Sequence, residues 1–141
     1  MILPPVRDRD LMIAGMAPVL DSETYVFCTF EGARRDVVPM ALAVFREQEG
    51  LSAVLTRADA CRLSLPLDAP MRRITLSVHS ALAGVGLTAA VSSALASEGI
   101  ACNVIAAYHH DHVFVPEADA VRALEALERL QAAAQSAGSP A

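Results

Sequence analysis

All four histidines of the chain, His79, His109, His110 and His112, fall within one stretch of its second half, and three of them sit in Tyr108-His-His-Asp-His. His110 and His112 have the i, i+2 spacing that puts both side chains on one face of an extended strand. Two imidazoles so placed suit zinc or another borderline metal, but a stable site needs a third or fourth ligand, for which His79 is the candidate. The plainer alternative is a polar hairpin turn, with Asp111 bonding the turn backbone and a histidine covering a sheet edge. The turn is the preferred reading, and no metal or other cofactor is expected.

Catalysis has fewer supports. Cys102 beside a histidine has the types of a nucleophile and its base. Yet it is flanked by Ile100, Val104 and Ile105, where a cysteine ordinarily serves as a small apolar residue, and Cys28 among Tyr25, Val26 and Phe27 reads the same way. The chain has no Gly-x-Ser-x-Gly, no phosphate loop and no paired catalytic carboxylates, since Glu47 and Glu49 merely flank a turn. No enzyme is expected.

Binding is better served. Ser-Ala-Leu-Ala-Gly-Val-Gly at 80–86 leads into a stretch where Leu87, Ala90, Val91, Ala94 and Leu95 recur at helical spacing. A helix amino terminus offers free amide groups and a partial positive end, which suits a carboxylate. Gly84 and Gly86 remove side chains where a ligand would approach the backbone, and Asn103 brings an amide that both donates and accepts. Glycines that only let helix and sheet pack closely are the competing explanation.

The elements that would position these residues follow from periodicity. Ile74, Leu76 and Val78 alternate with polar residues over 73–79, which predicts a strand with one buried face. A helix over 87–98 stops at Gly99, a strand covers 100–108, a short strand 112–115 ends at Pro116, and a final helix starts near Glu117 with Val121, Leu124, Leu127 and Leu130 inward. Strand, helix, strand, strand, helix is most of a ferredoxin-like unit, and no fourth strand follows Leu130. A strand of the first half is the candidate to complete it. That half opens with a short helix capped by Asp8 or Asp10 and running to about Met16, then a strand over 24–30. Residues 41–56 have helical propensity but also fit a hairpin turning at Glu49-Gly50, with Leu51, Ala53 and Leu55 on one face. The hairpin is the reading adopted, followed by a helical turn over 58–63 and a proline-bearing linker. The alanine-rich tail after Gln131 is expected to fray.

Composition narrows the classes. With 54% hydrophobic and 19% charged residues in 141, a packed core is attainable. A net charge of −5 with scattered basic residues argues against nucleic acid. No apolar run is long enough to span a membrane, and charges come too early for a secretory signal. Three widely spaced cysteines, without a Cys-x-x-Cys pair, fit a reducing cytoplasm.

Arg73-Ile-Thr-Leu-Ser-Val-His-Ser, Val85-Gly-Leu-Thr-Ala-Ala-Val, Gly99-Ile-Ala-Cys-Asn-Val and His110-Asp-His-Val-Phe-Val-Pro together resemble the ACT domain. Glu23-Thr-Tyr-Val-Phe-Cys-Thr and Phe45-Arg-Glu-Gln-Glu-Gly-Leu resemble the first half of small bacterial proteins built of two ACT-like halves. The resemblance implies an α+β fold of two tandem ferredoxin-like βαββαβ halves, 1–66 and 71–131, with 132–141 as tail and with strand sharing between halves as an option. It implies a non-catalytic regulatory module that binds an amino acid or related metabolite and assembles as a homo-oligomer. The implied pocket is lined by Ser80, Gly84, Val85, Gly86, Leu87, Asn103 and Val104. The loop 79–86 lacks the acid and proline that many ACT domains carry there, leaving Ser80 as the nearest polar substitute. A dimerisation module without ligand, and a metal protein built on the histidine turn, are the alternatives.

Overall fold

The computed structural model describes residues 8–78 and 85–137. Asp8 opens the first helix, α1 (Arg9–Ala14), by accepting hydrogen bonds from the Asp10 and Leu11 amides at 3.0 Å. β1 (Pro18–Phe30) follows, longer than its β-branched core suggested, and a 3-10 turn over Val38–Met40 leads to the hairpin β2 (Ala43–Glu47) and β3 (Gly50–Thr56). Thr56 then caps α2 (Arg57–Arg62). The second half supplies β4 (Met71–Leu76), α3 (Leu87–Ser97), β5 (Asn103–Ala106), β6 (Asp111–Pro116) and, after a turn over Glu117–Asp119, α4 (Ala120–Ala137).

Packing divides the chain into two compact units, one of Met1–Asp21 with Arg73–Ala141 and one of Ser22–Arg72. β1 therefore gives its first residues to one unit and the remainder to the other, and β4 is divided in the same way. In the Ser22–Arg72 unit the strands run in the order β2-β3-β1, and the β2–β3 and β1–β3 ladders are antiparallel. Leu51, Ala53 and Leu55 share one face as expected and pack with Val26, Phe30, Val37 and Ala60. The hairpin reading of 41–56 holds, and its register places Glu47 opposite Gly50.

The other unit has the strand order β1-β4-β6-β5, so Pro18–Asp21 supplies the fourth strand that its own half lacked. Ile74 and Leu76 of β4 and Val113 and Val115 of β6 meet Met12, Ile13, Leu87, Val91, Leu95, Ala123 and Leu127 in one core, so α1, α3 and α4 cover one sheet face. That is the two-layer arrangement of a ferredoxin-like unit.

Three expectations change. Val121 is 63% exposed rather than inward. The buried stripe of α4 is Ala120, Ala123, Ala126 and Leu127, because alanines let the helix axis approach α1 and α3 closely. Over residues 132–137 the tail does not fray: α4 continues to Ala137, with the Gln131 and Gln135 amides donating to the Ala14 carbonyl at 2.8 and 2.9 Å, while 138–141 lie outside the described residues. Those bonds satisfy an orphan carbonyl at the end of α1. Finally, the turn spans 107–110, closed by the Ala107 amide on the His110 carbonyl at 3.0 Å, so Asp111 opens β6 and does not bond the described turn backbone.

Candidate functional site at the amino terminus of helix α3

Gly86 starts α3 with φ +107°, a conformation that L side chains rarely adopt, and among the described residues no side chain caps the helix there. Its first-turn amides thus lack a capping side chain among the described residues. A cation lies alongside: a Cβ built on Gly86 would meet Arg9 Cδ at 2.7 Å and Cγ at 3.0 Å. Arg9 also pairs with Asp10 at 3.1 Å, but both are exposed, and such pairs contribute little. An uncapped helix end with a guanidinium stem across it suits a carboxylate.

Gly86→Ala is expected to cost about 1–3 kcal/mol through the forced left-handed backbone. Arg9→Ala should not restore it, because the long arginine side chain can move aside. Urea unfolding of the single and double variants checks this. For the same reason a bulky substitution at Gly86 perturbs fold and ligand together and cannot separate them.

The other anticipated site residues are spread over more surroundings than expected. Val85 is 80% exposed beside the helix start. Leu87 is buried in the core, which withdraws its side chain from the helix entrance. Val104 packs partly buried against the core, opposite Val113. Asn103 does not join them. It pairs with Phe114 and so stands on the sheet face opposite the helices, because successive strand residues point to opposite faces. Ser80, Gly84 and His79 lie outside the described residues.

Register also reveals a residue that the sequence reading treated as part of a turn. Asp111 pairs with Ala106, one step along from Val104 and Val113, so it points to the helix-covered face. It is 8% exposed and is the buried charged residue among those described. Burial pushes its carboxyl above the usual carboxylate range, with neighbouring His110 pulling the other way. The His110 Nδ1–H reaches the Val78 carbonyl at 3.4 Å, which ties the start of β6 to the end of β4, where the chain leaves toward α3.

A carboxyl whose folded pKa is raised binds protons more readily in the native state. Stability from this group is therefore greatest at low pH and is lost as pH rises through the folded pKa. Asp111→Asn is expected to raise the melting temperature at pH 7, with the gain shrinking as pH falls toward about 4. Thermal melts of both proteins across that range test the sign.

The histidines do not assemble a metal centre among the described residues, where no group of three or more His, Cys, Asp or Glu side chains gathers. His112 Nδ1 lies 3.1 Å from Thr75 Oγ1, on the sheet face away from the helices, beside the Arg73–Asp21 pair at 2.7 Å. Burial, then the nearby Arg73 and His110 charges, lower the His112 pKa, so its ring is neutral at pH 7. Cys28 and Cys102 pack against the two cores, and burial raises both thiols, which opposes thiolate chemistry.

Two matches define the ancestry of this arrangement. Residues 4–72 match one ACT domain and residues 69–129 a second. The chain belongs to the ACT-domain family. The crystal structure of VC0802 from Vibrio cholerae, a protein of unknown function described as a possible transport protein, is similar at 45% identity and TM-score 0.78, covering 86% of this chain and 94% of that one. An Agrobacterium tumefaciens protein, Atu0741, is similar at 19% identity and TM-score 0.60, over 77% and 84% of the two chains. The ligand-free regulatory subunit of Thermus thermophilus aspartate kinase shares the fold at 12% identity and TM-score 0.62, over 82% and 97%. No curated protein matches the chain. No described helix of this ACT-domain protein is long and apolar enough to cross a membrane.

Proposed function

We propose that this ACT-domain protein is a non-catalytic regulatory module that binds a small metabolite, an amino acid or a close relative, at the amino terminus of α3. ACT domains are in general regulatory and ligand-binding, and structural neighbours include regulatory subunits of aspartate kinase. The observation that carries the reading is the uncapped start of α3 at left-handed Gly86 with Arg9 against it. First-turn amides beside a cation are a combination that suits a ligand carboxylate, which supports the reading. Val85 and Val104 supply apolar walls, and Ser80 and Gly84 complete the proposed lining.

A thermal-shift screen against amino acids and common metabolites tests it. A ligand at 100 times its dissociation constant stabilises the native state by about 2.7 kcal/mol, which moves the midpoint visibly. Arg9→Ala should weaken that shift. A flat screen refutes the reading.

A second reading, self-association through a sheet edge, is favoured by β2. This outermost strand of its unit exposes Val44 and Phe45, and Met40 and Leu42 are exposed just before it. Unpaired edges with apolar side chains pair readily with another strand. Under this reading the protein is a homo-oligomer that Phe45→Lys dissociates, which sedimentation velocity would show. The two readings are compatible.

A further inference from the structure

We infer that His112 makes the joint between the lent strand Pro18–Asp21 and β4 sensitive to acid, because a proton taken up by its ring places a second cation beside Arg73. The device does not depend on the proposed binding site.

Three strands build the joint. Arg73 of β4 donates to one Asp21 carboxylate oxygen from Nε at 3.2 Å and from Nη2 at 2.7 Å. The two side chains are 22% and 19% exposed, so solvent and salt screen them far less than a surface pair. Asp21 is the last residue that the amino-terminal segment gives to this unit, and the pair therefore fastens the lent strand to β4. Thr75 follows Arg73 by two residues, which puts both on one sheet face. There its hydroxyl meets His112 Nδ1 of β6 at 3.1 Å. A hydroxyl donates as readily as it accepts, so Thr75 holds the ring whether it is neutral or charged. Protonation changes the charge beside Arg73 and leaves the hydrogen bond in place.

The surroundings oppose that charge. Burial disfavours it first, then Arg73 from β4 and His110 from the turn before β6, the two charges among the described residues that bear on the ring. Opposite on β5 stands Ile105, which is apolar. The acid on this face, Asp21, is engaged by Arg73, and Asp111 points to the face that the helices cover. A histidine favoured neutral in the fold leaves stability intact above the ordinary value of about 6.5 and lowers it as pH falls below that. Asp111, whose carboxyl burial pushes up, acts in the opposite sense.

Thermal melts of the wild type and of His112→Gln at pH 7 and at about pH 5 test the inference, because the Asp111 contribution is common to both proteins and cancels. The wild type should fall relative to the variant by about 3 °C between the two conditions. In an NMR titration of the wild type the His112 ring should have a midpoint below that of an ordinary histidine, with the Asp21 and Arg73 amide resonances moving alongside it. Arg73→Gln should raise that midpoint. A constant offset between wild type and His112→Gln at both pH values would show that the ring only packs, which overturns the inference. A His112 midpoint at or above the ordinary value overturns it as well, as does one that a folded Arg73→Gln leaves in place. The wild-type titration alone keeps the inference refutable if neither variant folds.

Discussion

Gly50→Ala is expected to lower stability by roughly 3 kcal/mol, at the upper end of backbone strain costs. Gly50 has φ +146°, and a Cβ there would run into the Phe30 carbonyl oxygen, with the carbonyl carbon at 3.2 Å. The obstacle is backbone, and it lies in the β1–β3 ladder where Phe30 pairs with Leu51. Relief would require pulling β3 away from β1, at the expense of hydrogen bonds near that end. For a domain of this size the loss corresponds to a melting-point drop of about 10 °C. Gly32 is the control: its φ is +75°, but a Cβ there meets nothing within 4 Å, so Gly32→Ala should cost only about 1 kcal/mol. Differential scanning calorimetry of the pair separates a steric requirement from a conformational one. Equal losses would refute the close approach at Gly50.

Leu127→Ala should cost about 3–4 kcal/mol, and Val121→Ala less than about 0.5 kcal/mol. Leu127 is fully enclosed by the α1, α3 and sheet core, so truncation leaves a void that neighbouring side chains only partly fill. Val121 projects from the opposite side of α4 and is mostly in water. Their spacing in sequence does not distinguish them. Guanidinium unfolding of the two variants gives the difference, and a large loss at Val121 would show that α4 is rotated from the orientation described.

That comparison shows where sequence patterns carry information and where they stop. Strand alternation at Ile74 and Leu76 and the glycine stop after α3 are local properties, and the fold follows them closely. The hairpin at 41–56 ran against helix propensity and was adopted partly through the ACT resemblance, since Gly50 suits a helix cap as well as a turn. Helix α4 misled because leucine and valine outrank alanine in any hydrophobicity pattern, yet close helix packing favours the smaller residue. Asn103 and Asp111 turn on parity. A strand boundary displaced by one residue sends a side chain to the other sheet face, and no composition signal fixes that boundary. The turn at 107–110, which ends one residue earlier than the pattern suggested, moved Asp111 from the turn to the buried face. The glycine loop was legible as a helix entrance, whereas Arg9, remote in sequence, became visible only once α1 was placed.

The unit that holds this site is assembled from the two ends of the polypeptide, and that has a consequence for proteolysis. A nick between Leu67 and Ala69 would leave α1 and Pro18–Asp21 on one fragment and β4 through α4 on the other. The fragments should stay together without a covalent link, held by the Met12 and Ile13 side chains and by Gln131 and Gln135 on the Ala14 carbonyl. A polypeptide beginning at residue 69 alone would instead present an open core and a bare strand edge, and should precipitate until the missing amino-terminal peptide is added back in trans.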